Sequence, residues 1–501
     1  MRLSTLVKPF ISLPLKADVD VTRLILDSRE SQRGDLFIAM RGTSVDGRHF
    51  IQDVLSRQVA AILVESDDAE LAITYQQTIP IIPVGKLREK LGEIAAIFYG
   101  HPAQYMKMYG ITGTNGKTSC ANFLAQMFDY FKLPCGLMGT LGSGLYGALG
   151  EPGLTTPDAV TLHAMLKTFV AAGAKATVME VSSHSIDQGR VNHIAFEAGI
   201  FTNLTQDHLD YHGSMEAYAA VKKHYLEAFS MKHVIMNVDD PYGKSWIMDF
   251  ANHRPVVAYS LQCASLPQVI PQVYTEQTTL SLSGIKTRVV SPWGTGELQL
   301  PLIGEFNLSN ILAVLTTLCL QEIPFDRVLH ALSSIQAVPG RMQLLGGQNQ
   351  PLIVVDFSHT PDSLLKALQA LKHHTKGKLI CVFGCGGNRD GAKRPLMAAV
   401  AEQWADVVMV TSDNPRHEDP ADIVRQIVSG FQHPEAVLVE LDRSKAIEKS
   451  IQYASVGDCI LIAGKGAERY QQIGDQKHPF DDVSEVNRYL DQAVKEPHGD
   501  S

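Results

Sequence analysis

Gly110–Thr118 reads Gly-Ile-Thr-Gly-Thr-Asn-Gly-Lys-Thr and joins an apolar strand pattern, Met108–Ile111, to a helical pattern that begins at Lys117. Glycines in such a stretch let backbone N–H groups turn towards a phosphate, and the N-terminus of the helix adds positive potential. Lys117 can bridge two phosphates, and the Thr118 hydroxyl can hold Mg²⁺. The usual spacing puts the first glycine at position 111, which is Ile here. The stretch therefore predicts a phosphate loop of a particular subclass.

Strand and helix patterns alternate on the C-terminal side of this loop, which predicts parallel sheets, with an antiparallel patch over 272–302. We expect an α/β fold of three domains: a small N-terminal α/β domain (1–90), a central phosphate-loop ATP-binding domain with a parallel sheet (91–338) and a C-terminal Rossmann-like, doubly wound domain (339–501). Five apolar runs typical of strands buried on both faces define the third domain: Leu352–Phe357, Leu379–Phe383, Val407–Thr411, Val437–Leu441 and Cys459–Ala463.

The composition restricts the classes of partner. With 501 residues and a formal charge of −9, the chain lacks the basic excess of a general nucleic-acid binder. Seven cysteines without a C-x-x-C pair predict buried free thiols in a reducing, cytoplasmic compartment. No apolar run is long enough to span a membrane, and Lys8, Pro9, Pro14 and Lys16 interrupt the N-terminal apolar stretch. We therefore expect neither a membrane span nor a signal peptide.

A second glycine-rich stretch, Gly384–Gly387, follows a predicted strand. A dinucleotide-binding fingerprint would require a further glycine at position 389, and that residue is Arg389. A dehydrogenase is therefore disfavoured, and the stretch is better interpreted as a loop that presents Arg389.

Six further segments follow the phosphate loop along the chain: Thr155–Asp158 (TTPD), Glu180–His184 (EVSSH), Thr202–Gly213 (TNLTQDHLDYHG), Gly304–Asn310 (GEFNLSN), Gly340–Met342 (GRM) and Asp356–Asp362 (DFSHTPD). Together with the loop they resemble the Mur ligase family of cytoplasmic peptidoglycan-precursor synthetases, and the resemblance covers nearly the whole chain. Within the family, Asp413–Arg416 (DNPR) resembles the members that add diaminopimelate.

The resemblance implies an ATP-dependent ligase that forms a C–N bond. It would add meso-2,6-diaminopimelate to UDP-N-acetylmuramoyl-L-alanyl-D-glutamate through an acyl phosphate, releasing ADP and phosphate. The implied partners are these small molecules, with no nucleic acid and no membrane, and we expect a cytoplasmic monomer. The implied ATP contacts are Gly113, Thr114, Asn115, Gly116, Lys117, Thr118, Asn307, Arg341 and Asp356, with His359 near the last three.

The resemblance also implies Mg²⁺ and a carbamate formed by CO₂ on Lys222. Thr118, Glu180, His208 and the carbamate would be the metal ligands, and Lys117, His208 and Lys222 the catalytic residues. An ammonium group would be repelled by Mg²⁺, whereas a carbamate offers the oxygen ligands that hard cations prefer. Lys223 is adjacent, and the spacing from His208 favours Lys222. An isolated helix lysine would more often lie on a solvated face.

Two further sets of contacts follow from the resemblance. An arginine aimed at the extra carboxylate of diaminopimelate would be left unpaired by lysine, which favours diaminopimelate strongly. Arg416 suits this role. In the Gly464–Glu468 loop, Ala467 stands where many members have His. Lysine-adding, D-alanyl-D-alanine-adding and folylpolyglutamate-type ligases are the alternatives, as is a regulatory protein that only binds ATP. The UDP-substrate residues are Ser28, Thr155, Thr156, Ser182, Gln188 and Arg190, and the diaminopimelate residues are Arg389, Asp413, Asn414, Arg416, Gly464 and Glu468.

Overall fold

The computed structural model describes residues 1–42, 45–67 and 72–495. The strands form three large sheets of five, eleven and six strands and one separate hairpin. Helices cover the sheets in the alternating manner that the sequence predicts, so the α/β class is confirmed.

The N-terminal sheet has the order β1-β2-β3-β5-β4 and is parallel except for β4. Leu87, Leu91, Ile94 and Ala95 of α3 recur at helical spacing and are buried in the core against this sheet. Gly100 ends α3 in a left-handed conformation. The elements are α1 (Leu3–Val7), β1 (Arg23–Ile25), β2 (Asp35–Ala39), α2 (Ile51–Ser56), β3 (Ala61–Ser66), β4 (Thr74–Gln76), β5 (Ile79–Gly85) and α3 (Leu87–Tyr99).

The eleven-stranded sheet has the order β16-β15-β14-β13-β12-β11-β6-β10-β7-β8-β9. The strand before the phosphate loop is β6, and it pairs in parallel with β10. Its elements are β6 (Lys107–Thr112), α4 (Lys117–Tyr130), β7 (Cys135–Gly139), β8 (Gly142–Leu145), β9 (Ala148–Leu149), α5 (Ala159–Ala171), β10 (Ala176–Glu180), α6 (Ser183–Asp187), β11 (Phe196–Phe201), α7 (Leu209–His212), α8 (Met215–Ala228), β12 (Met231–Asn237), α9 (Pro241–Ala251), β13 (Val256–Tyr259), β14 (Gln272–Ser281), β15 (Gly284–Ser291), β16 (Gly294–Leu300), α10 (Glu305–Leu320) and α11 (Phe325–Leu332).

The last three strands of this series, β14, β15 and β16, pair antiparallel with each other. They lie within the 272–302 patch, so the prediction of an antiparallel segment there is confirmed. Thr275 and Thr287 are buried and their side chains are hydrogen-bonded, which explains why a Thr-rich pattern forms strands here.

The C-terminal sheet has the order β17-β18-β22-β19-β20-β21 and is parallel except for β17. One apolar face packs against α12, α13 and α14, and the other packs against α15 and α16, so the doubly wound prediction is confirmed. The elements are β17 (Gln343–Gly346), β18 (Leu352–Asp356), α12 (Pro361–Lys372), β19 (Leu379–Phe383), α13 (Lys393–Trp404), β20 (Val407–Val410), α14 (Pro420–Val428), β21 (Leu438–Val439), α15 (Arg443–Tyr453), β22 (Cys459–Ala463), the hairpin β23 (Tyr470–Ile473) and β24 (Gln476–Pro479), and α16 (Asp482–Lys495).

One predicted strand of this sheet is wrong in length and burial. The apolar run Val437–Leu441 forms only the two-residue strand β21, and Leu438, Val439 and Leu441 are all exposed. The run is exposed because β21 is an edge strand of this sheet and pairs on one side with β20.

The chain divides into two compact units. The first comprises Met1–Thr112, Phe128–Gly199 and Val221–His233, and contains the five-stranded sheet. The second comprises Gly113–Met127, Ile200–Ala220 and the chain from Val234 onwards, and contains the phosphate loop and the six-stranded sheet. Each unit has its own cluster of candidate residues.

Two other expectations can be compared with the structure. All seven cysteines are free thiols, and all except Cys263 are buried. Across residues 1–42, 45–67 and 72–495, none of the helices has both the length and the apolar character needed to cross a lipid bilayer.

Candidate functional site

The phosphate loop of the second unit requires glycine at two positions. Gly113 has φ 144° and Gly116 has φ 87°, both in the left-handed region that side chains disfavour. A Cβ atom at Gly113 would clash with the Thr202 hydroxyl, and one at Gly116 would clash with the Asn310 amide oxygen. The loop can therefore adopt this path only with glycine at both places.

The same loop is anchored by the segment that follows β11. The N–H groups of Thr114 and Asn115 donate to the backbone oxygen and to Oδ1 of Asn203, over 2.8 and 2.9 Å. The Asn115 carbonyl oxygen accepts from Thr202 Oγ1 at 2.6 Å, and Thr205 N donates to Thr114 Oγ1 at 3.0 Å. Two N–H groups of the loop are thus bound to Asn203 and fix the shape of the loop. Sequence reasoning gave no role to Asn203.

Lys117 and Thr118 stand at the start of α4. Lys117 Nζ donates to the carbonyl oxygens of Gly113 (2.9 Å) and Thr114 (2.8 Å), so the ammonium lies over the loop. The Thr118 hydroxyl accepts from Arg341 Nη2 at 3.2 Å. A cation over the loop and a hydroxyl at the helix start are the arrangement that phosphate binding needs.

The other predicted nucleotide residues lie in the same unit. The Arg341 guanidinium stacks 4.0 Å from the Phe357 ring centroid, and the Asp356 carboxylate accepts from Met342 N at 2.7 Å. Asn307 is buried in α10, and its Oδ1 has no hydrogen-bond partner among the described residues. A buried acceptor without a donor is a place where a ligand or a water can bind.

Sequence reasoning missed a cluster around Asp207. Its carboxylate lies 3.5 Å from His208 Nε2, 3.7 Å from His359 Nε2 and 3.6 Å from Lys393 Nζ. Burial alone would raise the pKa of Asp207, but the nearby His359 ring and the charges of Lys393 and His208 hold that pKa well below its usual range. The carboxylate is therefore ionised and orients three groups that can be cationic. Asp207 and Lys393 are far apart in sequence, and no spacing pattern connects them.

Glu180 forms the centre of a separate cluster in the first unit. It ends β10 and is almost fully buried. Its two carboxylate oxygens accept from Thr140 N (2.8 Å) and Thr140 Oγ1 (3.2 Å), and Thr155 Oγ1 lies 3.2 Å from Thr140 Oγ1. Both oxygens are thereby fixed in orientation.

The predicted UDP-substrate residues of the central region come together near this carboxylate. Thr156 Oγ1 donates to the Glu180 backbone oxygen at 2.7 Å and lies 3.3 Å from Ser182 Oγ. Arg190 Nη1 donates to the Thr156 carbonyl oxygen at 2.8 Å, and Arg190 Nε donates to Gln188 Oε1 at 3.0 Å. Thr155, Thr156, Ser182, Gln188 and Arg190 are thus brought together by the fold.

Ser28 lies apart from that group, in a 3₁₀ turn beside the N-terminal sheet. Its side chain is buried, and its backbone oxygen accepts from Ser31 Oγ at 2.6 Å. The neighbouring Asp27 caps the turn by accepting from Arg29 N. Both contacts join residues of the turn itself.

The two adjacent lysines of α8 differ clearly. The Lys222 side chain is buried, with the residue 1% exposed. Lys223 is 29% exposed and pairs with Glu227 one turn later, with Nζ 3.4 Å from Oε1. A solvated helix face therefore describes Lys223 and not Lys222.

The predicted amino-acid residues lie at the carboxyl ends of three adjacent strands, β22, β19 and β20. This edge of a doubly wound sheet is where such folds bind ligands. Asn414 Nδ2 donates to Glu468 Oε2 at 2.8 Å, and Lys465 Nζ donates to Asn414 Oδ1 (3.1 Å) and Glu468 Oε2 (3.0 Å). Ala467 therefore leaves Glu468 well held, and the buried Lys465 is a further residue of the cluster that sequence reasoning missed.

Arg416 is held in an unusual backbone conformation, with φ 51°. Its N–H donates to the Gln472 carbonyl oxygen (3.0 Å), and its own carbonyl oxygen accepts from Gly474 N (2.7 Å), so the β23–β24 hairpin fixes it. Its Nη1 donates to the Gly387 carbonyl oxygen at 2.8 Å. Burial and the positive charge of Arg389 lower the pKa of Arg416. Within the described ranges, neither arginine has a carboxylate within 4 Å.

A protein-only metal cage is not seen in the part of the chain that the structure describes, where no three His, Cys, Asp or Glu side chains are grouped for a metal ion. The Thr118 hydroxyl of the second unit and the Glu180 carboxylate of the first unit are each of the oxygen-donor type that Mg²⁺ prefers.

Fold and site together define an α/β nucleotide-binding protein with a phosphate loop and a C-terminal ligand-binding sheet edge. Three family models match the chain: Mur ligase family, catalytic domain (20–99), Mur ligase middle domain (111–318) and Mur ligase, glutamate ligase domain (340–466). The chain belongs to the Mur ligase family, as its relatives also show.

The chain is 47% identical to UDP-N-acetylmuramoyl-L-alanyl-D-glutamate–2,6-diaminopimelate ligase from Coxiella burnetii (strain RSA 493 / Nine Mile phase I), over 95% of this chain and 97% of that relative. It is 45% identical to the protein of the same name from Ectopseudomonas mendocina (strain ymp), over 95% and 96%. A solved structure of a ligase with this name matches with a TM-score of 0.66 at 32% identity, covering 95% of both chains. The predicted family and three-domain α/β class are thereby confirmed.

Proposed function

We propose that the protein is an ATP-dependent ligase that adds meso-2,6-diaminopimelate to UDP-N-acetylmuramoyl-L-alanyl-D-glutamate, in cytoplasmic peptidoglycan-precursor synthesis. The observation that carries this proposal is the pair Arg389 and Arg416. A Cβ atom at Gly386 would lie 2.8 Å from Arg416 Nη1 and 3.8 Å from Arg389 Cγ, so both side chains border this position. Two arginine side chains with no carboxylate within 4 Å among the described residues suit an anion. Diaminopimelate carries a carboxylate at its far end, and lysine does not.

The other residues of the amino-acid site suit the remaining groups of the D-centre of diaminopimelate, the carbon that carries the far-end carboxylate. The Glu468 carboxylate, held by Asn414 and Lys465, can accept from an ammonium group. Gly464 leaves no room for a side chain, since a Cβ atom there would lie 2.6 Å from Asp413 Oδ2. In the proposal, Gly464, Asp413, Asn414 and Glu468 bind the D-centre beside its carboxylate. The L-centre amine is then the nucleophile.

ATP serves to activate the carboxylate of the UDP-linked dipeptide. A carboxylate oxygen attacks the γ-phosphorus, the bond to the β-phosphate oxygen breaks, and ADP leaves. The amine then attacks the acyl carbon, phosphate leaves, and the amine loses a proton. Lys117 would exchange its bonds with the Gly113 and Thr114 carbonyl oxygens for phosphate oxygens. Positioning and neutralisation of charge are the main contributions that such phosphoryl transfer needs.

Mg²⁺ and the Lys222 carbamate are part of the proposal. The candidate metal ligands are Thr118, Glu180, His208 and the carbamate, and the burial of Lys222 supports its modification. When bound, Mg²⁺ neutralises phosphate charge. The residues of this chain orient the reacting groups: Asp207 fixes His208, and Thr140 fixes the Glu180 carboxylate.

The UDP-linked substrate is proposed to bind the Thr155, Thr156, Ser182, Gln188 and Arg190 group and, through its uridine nucleotide, the region of Ser28. The division of labour would follow the three domains: UDP-substrate binding in 1–90, ATP binding in 91–338 and amino-acid binding in 339–501. The active form is proposed to be a monomer.

The decisive experiment is a phosphate-release assay with ATP, Mg²⁺, the UDP-linked dipeptide and a panel of amines. Meso-diaminopimelate should support turnover, and L-lysine should be worse by a factor of up to about 10⁴. Phosphate release in the absence of both the UDP-linked dipeptide and an amine would indicate a protein that only binds and hydrolyses ATP. Equal turnover with L-lysine, or turnover only with D-alanyl-D-alanine or a folate acceptor, would assign one of the alternative ligases.

Arg416→Lys provides the residue-level test in the same assay. The loss of the planar fork should raise the KM for diaminopimelate at least about tenfold and leave the KM for ATP unchanged. Arg425→Lys is a matched control, because Arg425 lies exposed on α14 and pairs with Asp422 of the same helix. An unchanged KM for diaminopimelate in Arg416→Lys would contradict the proposed role of Arg416 in binding diaminopimelate.

A further inference from the structure

A buried ion pair lies behind the amino-acid site. Arg443 is the first residue of α15 and Asp482 is the first of α16, and both side chains are fully buried. Arg443 Nε donates to Asp482 Oδ1 at 2.7 Å and Arg443 Nη2 donates to Asp482 Oδ2 at 2.8 Å, which is a bidentate pair. Two charges are costly to remove from water, and apolar residues often replace such pairs without loss of stability. Stability alone therefore does not explain the pair.

The remaining bonds of the guanidinium reach two strand ends. Arg443 Nη2 donates to the carbonyl oxygen of Ala463 at 3.0 Å, and Arg443 Nη1 lies 3.5 Å from that of Ser412. Ala463 is the last residue of β22, and Ser412 lies just after β20. The next residues in the chain are Gly464 and Asp413, both in the amino-acid site. The Arg443 side chain therefore contacts the backbone immediately before Gly464 and immediately before Asp413.

The strand ends beside Asp413 and Gly464 are closely packed. Gly384 follows β19, the strand between β22 and β20, and a Cβ atom there would clash with the Thr411 carbonyl oxygen. A Cβ atom at Gly464 would lie 2.6 Å from Asp413 Oδ2. Since the backbone at Gly384 and Gly464 lies this close to Thr411 and Asp413, a shift of either strand end would move Asp413 and Gly464 relative to each other.

We propose that the Arg443–Asp482 pair positions the diaminopimelate site by holding the carboxyl ends of β20 and β22 in register. The inference rests on the proposed function. Arginine is needed because its planar fork can donate to a carboxylate and to two carbonyl groups at once, whereas a lysine ammonium cannot span them. The negative charges of Asp413 and Glu468 also interact favourably with Arg443. Arg443 and Asp482 are positioning residues and need not touch the substrate.

The test is the double variant Arg443→Met with Asp482→Leu, which removes both charges together. We expect it to fold, with its Tm within a few degrees of the wild type, since paired replacement avoids a lone buried charge. Its KM for diaminopimelate should rise about tenfold or more, while the KM values for ATP and the UDP-linked dipeptide stay within about twofold. Arg443→Lys, which keeps the charge and loses the fork, should raise the same KM by an intermediate factor.

Lys372→Met is the matched control. Lys372 forms an ion pair with Asp406, 2.7 Å from Nζ to Oδ1, and Asp406 precedes β20 at the opposite, amino end of that strand. The control should leave all three KM values unchanged. An unchanged KM for diaminopimelate in the double variant would overturn the inference, as would an equal rise in all three KM values.

If the double variant does not fold, Arg443→Lys decides: an unchanged KM for diaminopimelate in that variant overturns the inference. Failure of the proposed function looks different, because the wild-type protein itself would then lack turnover with diaminopimelate or use L-lysine equally well.

Discussion

Arg341 donates a hydrogen bond to the hydroxyl of Thr118 over 3.2 Å, although the two residues are 223 positions apart in the chain. The same guanidinium stacks on the ring of Phe357, just beyond β18. One side chain thus connects the end of the phosphate loop with the start of the C-terminal sheet. If ATP binds here, Arg341 contributes both a charge and a fixed geometry.

Arg341→Lys should therefore weaken ATP binding without unfolding the protein. The variant keeps the positive charge but loses the stacking and the fork, each worth roughly 1 kcal/mol, so we expect the KM for ATP to rise about thirtyfold. Steady-state kinetics with varied ATP measures this. Arg327→Lys, at an exposed position of α11, is the control. A change in the KM for the amine instead of ATP would contradict the assignment.

Gly113→Ala tests the phosphate loop. Gly457 also has positive φ (97°), but a Cβ atom there meets no atom within 4 Å. Gly457→Ala should therefore cost only the backbone strain, about 1–2 kcal/mol of unfolding free energy. Gly113→Ala adds a clash with Thr202 and should cost more and abolish binding of a non-hydrolysable ATP analogue. Urea unfolding and titration calorimetry give the two quantities, and equal costs for both variants would refute the steric argument.

Lys222→Ala should nearly abolish turnover and leave the ATP affinity measurable. The proposed carbamate would be lost, and a small carboxylate such as acetate should restore part of the activity by supplying an oxygen ligand. Lys223→Ala is the adjacent control, because Lys223 is partly exposed and pairs with Glu227 one turn later. Phosphate release with and without acetate measures the effect. Full activity of Lys222→Ala would exclude the carbamate.

His163 in α5 should make the stability of the protein depend on pH. Burial, together with the charges of His193 and His101, lowers the pKa of His163 to about 4. The unfolded chain, with a pKa of about 6.5, binds a proton before the folded chain does. Stability from this residue is therefore complete above pH 6.5 and decreases as the pH falls towards 4, by about 2 kcal/mol between pH 6.5 and 5.

Urea unfolding of wild type and His163→Leu at these two pH values measures that loss. The variant lacks the titrating ring and should lose about 2 kcal/mol less than the wild type on acidification. His433→Leu, at an exposed position, should behave like the wild type. Parallel pH profiles for wild type and His163→Leu would contradict the prediction.

The elements that sequence could predict are those whose local pattern matches their burial. Leu379–Phe383 and Cys459–Ala463 are continuous apolar runs, and both are buried strands with the predicted bounds. Val437–Leu441 shows the same apolar character, yet lies at an edge and is exposed. Neighbours in a sheet are set by topology, so a run of apolar residues alone does not distinguish a central strand from an edge strand.

The candidate site follows a similar rule. Lys117 and Arg416 could be singled out because each lies in a compact motif. Asp207 contacts Lys393, and Lys465 contacts Asn414, only because the fold brings distant segments together. The choice between Lys222 and Lys223 likewise needed the orientation of α8, since adjacent residues on a helix point in directions about 100° apart.

The anchoring of Thr114 and Asn115 by Asn203 has a consequence for the kinetics of nucleotide capture. A loop that is already held by protein hydrogen bonds loses little conformational entropy when a triphosphate arrives. Association should therefore be limited by diffusion and desolvation and not by loop ordering, and selectivity should reside in how fast a poorly fitting nucleotide leaves.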